Sequence, residues 1–147
     1  MHKKPASPTG VRLWNKAKTL IPGGNQLLSK RSEMFLPDQW PAYYSKAKGA
    51  YVWDLDGNEY IDCSMGLTSV CIGHGYAPVA KAVGEAALLG TNFQRPAAIE
   101  LDAAKLFLET VESGDMVKFA KNGSTVTTAA VKLARAYTGR SRVAIAR

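Results

Sequence analysis

Residues 116–146 constrain this chain more than any other stretch. "MVKFA" (116–120) has the composition of a short strand, and a small polar hinge, Asn122-Gly123-Ser124-Thr125, follows it. Beyond the hinge, Val126, Ala129, Ala130, Leu133, Ala134 and Tyr137 repeat at helical spacing, with Lys132 and Arg135 off that stripe. Gly139 stands where a helix C-cap belongs, and "RVAIA" (142–146) is again strand-like. Strand, helix and strand at these lengths predict a βαβ crossover of a parallel sheet. A parallel sheet needs neighbouring strands and helices on both faces. The sequence offers about two such strands and stops inside a strand pattern, so the expectation is an α/β architecture that is not self-sufficient.

The preceding residues set up a different kind of unit. Ser7-Pro8 predicts a helix start, with Val11, Trp14, Lys18 and Ile21 on one side and "IPGG" (21–24) as the stop. Residues 25–48 show no clear period and predict a covering loop, apolar through Trp40, Tyr43 and Tyr44. "AYVWDLDGNEYIDCSMG" predicts a hairpin turning at Asp56-Gly57-Asn58. Further helices are predicted from Pro78 to Gly90 and from about Pro96 to Val111.

Composition narrows the function classes. With 147 residues and 46% hydrophobic content, the chain has material for one packed domain. Its net charge of +7 raises nucleic-acid binding. The cations are scattered, however, and lack the aromatic interleaving of a base-stacking surface, so no nucleic-acid partner is expected. No apolar run approaches the ~20 residues of a bilayer span, and "MHKKPASPTG" lacks the apolar core of a signal peptide. Cys63 and Cys71 fit no metal or redox spacing, so buried, reduced thiols and no metal site are expected. Asn122-Gly123-Ser124 matches a glycosylation sequon, which means nothing without a secretory context. A soluble cytoplasmic protein is the expectation.

The hinge at 122–125 is where chemistry enters. A helix N-terminus presents unpaired N–H groups and the positive end of the helix dipole, a combination that attracts anions. Gly123 allows close approach and an unusual backbone angle, and Ser124 and Thr125 add hydroxyl donors. That set suits a phosphate monoester. The plainer reading, in which Ser124 only caps the helix, stays open on local sequence. The stretch is neither a Walker A loop nor a dinucleotide fingerprint.

Four segments in order, "LIPGGNQ", "GAYVWDLDGNEYIDCSMGLTSVCIGHGYAPV", "GTNFQRP" and "FAKNGSTVTTAAVKLARAYTGR", resemble the N-terminal third of class III pyridoxal-phosphate (PLP) aminotransferases. The glutamate-1-semialdehyde aminomutase-like branch is the most similar. The resemblance implies the N-terminal part of a type I PLP-dependent transferase fold, in a dimer that acts on a small amino acid or amino-aldehyde. It further implies that residues 1–94 form an N-terminal segment with part of the small domain, and that 95–147 begin the PLP-binding large domain. Gly123, Ser124 and Thr125 match the turn that binds the cofactor phosphate. Met65, Gly66, Leu67, Asn92 and Phe93 match pocket-lining positions, and Lys30 or Arg31 a basic residue that receives a substrate carboxylate. Plain readings as turn, core and solvated charge stand beside these. Thr125 replaces an acidic residue of the family and Val126 an alanine. His74 in "GHG" reads as a structural hydrogen-bonding histidine.

PLP chemistry needs a lysine to bond the cofactor aldehyde, a carboxylate at the ring nitrogen and usually an aromatic ring over the cofactor face. In the family these lie C-terminal to the segment matched here, so no catalytic residue is expected in this chain. A C-terminal remainder or a second chain would supply the Schiff-base lysine. The competing expectation is a degenerate, non-catalytic family member that acts in dimerisation or interaction.

Overall fold

The computed structural model describes residues 7–36 and 39–145. The chain forms two compact units, Met1–Thr91 and Asn92–Arg147.

In the first unit, helix α1 spans Pro8–Leu20. Ser7 caps it, its Oγ accepting from the Gly10 N–H at 3.3 Å, and Pro8 takes a first-turn position where the missing N–H costs nothing. The Ser7 hydroxyl also donates to the Asp56 carboxylate, which accepts from the Thr9 N–H at 3.2 Å. The helix start is thereby stapled to the hairpin turn. Trp14 is on the buried face as expected, but its buried companions are Gly10 and Ala17 rather than Val11 and Lys18. Small residues one turn to either side let the indole lie close to its neighbours. Gly23 and Gly24, with φ of 76° and 82°, end the segment at the expected place.

Residues 25–48 are more ordered than a covering loop. They hold two short 3-10 turns, Leu28–Lys30 and Ser32–Met34, and then strand β1, Tyr44–Lys48. Strand β2 (Tyr51–Asp54) and strand β3 (Glu59–Ile61) complete a three-stranded antiparallel meander in the order β1-β2-β3. The predicted hairpin is β2–β3, paired Tyr51 to Ile61 and Val52 to Tyr60. β1 went unread because its residues are mostly polar and exposed. Its Lys46 ammonium rides 4.3 Å from the Trp53 ring centre, a cation–π contact that no hydropathy pattern reveals.

Asp54 organises the hairpin turn. It is 1% exposed, and its carboxylate accepts from the Asp56 N–H, the Asn58 N–H, the Asn58 side-chain amide and the Tyr60 hydroxyl at 2.8–2.9 Å. Burial by itself would raise its pKa; the bonds led by Asn58 outweigh that and hold it below the usual carboxylate range. The Tyr60 phenol, desolvated and bonded to that carboxylate, is pushed up to about 12. Helix α2, Ala77–Leu88, follows with Pro78 in its first turn.

The second unit contains helices α3, Ala98–Thr110, and α4, Gly123–Thr138. The Glu100 carboxylate accepts from the Ala97 N–H at 3.2 Å, one half of a capping box. Gly139 caps α4 in the left-handed conformation (φ 66°), as the sequence predicts. The two expected strands differ: 116–120 and 142–145 form no ladder among the described residues, and Ala146 lies outside them. A parallel strand acquires its hydrogen bonds only from neighbours, and no neighbour pairs with these segments among the described residues. The apolar stripe of α4 stays open as well, with Leu133 71% and Tyr137 90% exposed.

Candidate functional site

The hinge at 122–125 is the start of α4, and Asn122, not Ser124, is its cap. The Asn122 side-chain oxygen accepts from the Thr125 N–H at 2.9 Å and from the Thr125 hydroxyl at 3.1 Å. Asparagine here satisfies one donor of the first turn and fixes the threonine rotamer. The next backbone bond, Val126 N–H to Asn122 C=O, is 3.2 Å. The Gly123 and Ser124 N–H groups find no acceptor among the described residues. Two amides and the Ser124 hydroxyl are therefore available where the helix dipole favours an anion.

Gly123 does not adopt the unusual backbone angle expected of it; it is the first residue of α4, in ordinary helical geometry. Its value is space. A Cβ built on Gly123 would meet nothing within 4 Å, so the volume a side chain would occupy is free for a ligand oxygen. These residues fit a phosphate monoester on three counts: free amides, an open approach and no acidic side chain in the first turn. A shallow open groove continues along the helix past Ser124, Thr125, Thr128, Ala129 and Lys132.

Four of the expected pocket residues, Met65, Gly66, Leu67 and Asn92, share a conformational property that sequence alone did not reveal. Met65, Gly66, Leu67 and Thr68 all have positive φ, at 44°, 58°, 56° and 69°. Three non-glycine residues in this region cost roughly 1–2 kcal/mol each, and Thr68 is β-branched, which makes it a pronounced outlier. Asn92 is also left-handed (φ 59°), a state asparagine tolerates. Phe93 beside it is half exposed.

The left-handed run belongs to a loop, residues 63–73, whose ends are tied together. At one end the Asp62 N–H donates to the Ala50 carbonyl at 2.8 Å. At the other, Gly49 and His74 exchange backbone hydrogen bonds in both directions at 2.9 Å. Across the neck, His74 Nε2 lies 2.7 Å from Asp62 Oδ2. Asp62 Oδ1 accepts from the Ser64 N–H, the Ser64 hydroxyl and the Met65 N–H at 2.9–3.1 Å. His74 first and then these donors hold the Asp62 carboxyl below its usual range, so the carboxylate accepts and His74 Nε2 donates. His74 is the structural hydrogen-bonding histidine that the sequence suggested. Asp62 went unnoticed; an aspartate at a strand end, two and three residues before the amides it accepts from, was the available signal.

Cys63 and Cys71 are free and exposed, contrary to the expectation of burial, because both lie on this loop outside the small core of Trp14, Ala17 and Val52. Arg31 and Lys30 lie at the junction of the two 3-10 turns. Lys30 is exposed, whereas the Arg31 guanidinium packs over Gly23 with its Nε shielded from solvent and unbonded. Lys30, Arg31 and Met65–Leu67 are in the first unit; Asn92, Phe93 and Gly123–Thr125 are in the second. Among the described residues no metal-binding cluster occurs, and no helix is long and apolar enough to cross a membrane.

Comparison with known proteins identifies the family of the chain. The family Aminotransferase class-III matches residues 36–145. Glutamate-1-semialdehyde 2,1-aminomutase 1 of Listeria welshimeri is 36% identical over 90% of this chain and 30% of its own length. The FumI protein of Sphingopyxis sp. MTA144, solved in its PLP internal aldimine form, superposes with a TM-score of 0.83 at 33% identity, over 91% of this chain and 32% of that one. An omega-transaminase from Sphaerobacter thermophilus gives 0.82 at 32%, over 91% and 30%. The chain thus spans about 30% of the length of the curated relatives it matches. These neighbours bear out the expected α/β type I fold, although the only sheet among the described residues is the antiparallel meander. The match over most of its length places this chain in the class III aminotransferase family.

Proposed function

We propose that this chain contributes the PLP phosphate cradle and part of the substrate pocket to a PLP-dependent aminotransferase or aminomutase acting on a small amino acid or amino-aldehyde. The observation that carries this reading is the start of α4 in a chain of this family: unpaired Gly123 and Ser124 amides, a free Ser124 hydroxyl and open space at Gly123. When bound, PLP supplies an electron sink for carbanion chemistry at the amino carbon. The chain's own part is to bind and orient. Gly123 and Ser124 receive phosphate oxygens, and Asn122 holds the helix start in shape by engaging both polar groups of Thr125. Lys30 or Arg31 is the cation for a substrate carboxylate. Met65, Gly66, Leu67, Asn92 and Phe93 border the substrate.

In this reading residues 1–94 belong with the small domain and 95–147 begin the large domain of a cytoplasmic dimer. The lysine that bonds the cofactor comes from a C-terminal remainder or from a second chain. The test is co-expression with the C-terminal two-thirds of a class III relative, followed by titration with PLP. A cofactor-dependent visible absorbance that needs both parts, and that weakens in Ser124→Ala, is expected. An assembled pair with no such absorbance sinks the reading.

Thr125 and Val126, which stand where the family has an acid and an alanine, favour a second reading: a non-catalytic member that pairs with an intact relative. Co-purification with a full-length relative whose PLP content stays unchanged would select it.

A further inference from the structure

The neck of the 63–73 loop is closed from both sides by groups that the cofactor reading does not use. Backbone bonds tie Asp62 to Ala50 and His74 to Gly49, so both loop ends meet the turn between β1 and β2. Compact loops with joined ends are a recurrent way to hold functional residues on a rigid frame. Here the frame is the meander, and the loop contains an unfavourable run of left-handed residues at 65–68. Something must offset that cost. Within the loop, Leu67 N–H bonds the Ser64 carbonyl at 2.8 Å, Val70 N–H bonds the Met65 carbonyl at 3.1 Å, and the Ser69 hydroxyl bonds the Gly66 carbonyl at 2.8 Å. Those bonds close the left-handed turn, and Asp62 bonds the residues at its entry. One carboxylate oxygen of Asp62 gathers Ser64 N–H, Ser64 Oγ and Met65 N–H; the other takes His74 Nε2.

We propose that Asp62 and His74 form a latch across this neck, and that Asp62 is the positioning residue that keeps Met65–Thr68 left-handed. Of the positions assigned to substrate or cofactor, Asp62 bonds only the Met65 backbone; it acts through the Ser64 and Met65 amides. His74 fixes the Asp62 rotamer from the opposite strand of the neck, and both side chains are partly buried, His74 24% and Asp62 14% exposed. The significance for substrate rests on the reading that Met65–Leu67 border the pocket. The latch itself does not.

The test is amide hydrogen exchange in the full chain, with the Leu67 and Val70 amides as reporters of the turn and the β2 amides of Val52 and Trp53 as reporters of the frame. Asp62→Asn is expected to speed exchange at Leu67 and Val70 at least tenfold, with the β2 amides within twofold of their original rates. His74→Ala is expected to do the same, whereas His74→Gln, which keeps an N–H donor toward Asp62, restores protection to within about threefold. Should Asp62→Asn fail to fold, the His74→Ala and His74→Gln pair decides the matter. Unchanged Leu67 and Val70 exchange in the latch variants overturns the proposal, as does a rise shared equally by β2. The pocket reading is checked separately in the assembled, PLP-loaded protein with aminooxyacetate, a minimal amino-acid mimic. Protection of the Met65–Leu67 amides by that probe supports both ideas; a working latch without such protection removes the pocket reading and leaves the latch standing.

Discussion

Trp14 Nε1 donates to Glu33 Oε1 over 2.5 Å, joining the buried face of α1 to the second 3-10 turn. The same carboxylate oxygen takes Lys18 Nζ at 3.1 Å, and Lys18 lies over the indole at 5.7 Å from its centre. Trp14 is 5% exposed, and Glu33 is the hydrogen-bond partner of its N–H. Glu33→Leu is therefore expected to destabilise the first unit by about 1–2 kcal/mol, read as a lower urea midpoint. Lys18→Ala, which removes an exposed ion pair and a loose contact with the indole face, should cost less, about 0.5–1 kcal/mol.

Gly24 lies against that same ring. A Cβ at Gly24 would come within 2.6–2.9 Å of three Trp14 ring atoms, and the backbone there is left-handed (φ 82°). Gly24→Ala combines strain with overpacking and is expected to cost about 2–3 kcal/mol. A thermal melt that leaves the transition unmoved would contradict this packing.

Asp54 predicts a strong response to a minimal change. Asp54→Ala strands the Asn58 and Tyr60 donors at a buried site and should cost about 2–4 kcal/mol, by chemical denaturation. Asp54→Asn is expected to recover only part of that, because its amide nitrogen would face donors wherever it is placed.

Acid sensitivity follows from four carboxylates whose pKa values are lowered in the folded chain. In Glu33 the first cause is the Trp14 bond, in Asp56 the Ser7 bond and in Asp62 the His74 bond; in Asp54 the Asn58 and Tyr60 bonds outweigh burial. A lowered folded-state pKa means the unfolded chain takes up protons first as pH falls. Stability should be flat from neutral pH to about 5, then decline as pH drops through the ordinary carboxylate range of about 4 and below. Urea midpoints at pH 7, 5, 4 and 3 check both the plateau and the direction of the decline.

The phosphate cradle has its own discriminating pair. Gly123→Ala meets no neighbour and sits in helical geometry, so it should be neutral or stabilise α4 by about 0.5 kcal/mol. In the assembled protein the same methyl fills the approach to the Gly123 and Ser124 amides and is expected to weaken PLP binding at least tenfold. Asn122→Ala should show the reverse balance, costing about 1 kcal/mol of stability through the lost cap. Because Thr125 Oγ1 already donates to Asn122, Thr125→Val should reduce PLP affinity less than Ser124→Ala. Fluorescence titration with PLP separates these cases.

The helices were legible because each carries a local start and stop. Ser7-Pro8 before α1, Pro78 in α2 and Gly139 after α4 are capping and turn residues whose preferences act within a few positions. The hairpin at Asp56-Gly57-Asn58 was legible for the same reason. Strand β1 was not, because a polar strand is defined by the partner that accepts its hydrogen bonds. The cap of α4 was placed two residues late, since Asn122 and Ser124 are equally good cap residues and only the observed bond to Thr125 chooses between them.

The sequence by itself determined the approximate spans of the helices, the hairpin turn, the family, and the polar hinge at 122–125. Those depend on short-range preferences and on residue identity in order. Only the tertiary structure decided that Met65–Thr68 are left-handed and that Asp62 and His74 meet across twelve positions of chain. It also decided that Cys63 and Cys71 are exposed on the loop between them. Each of these depends on which backbone groups the meander leaves at the loop's neck, and that long-range pairing is not encoded in any local pattern.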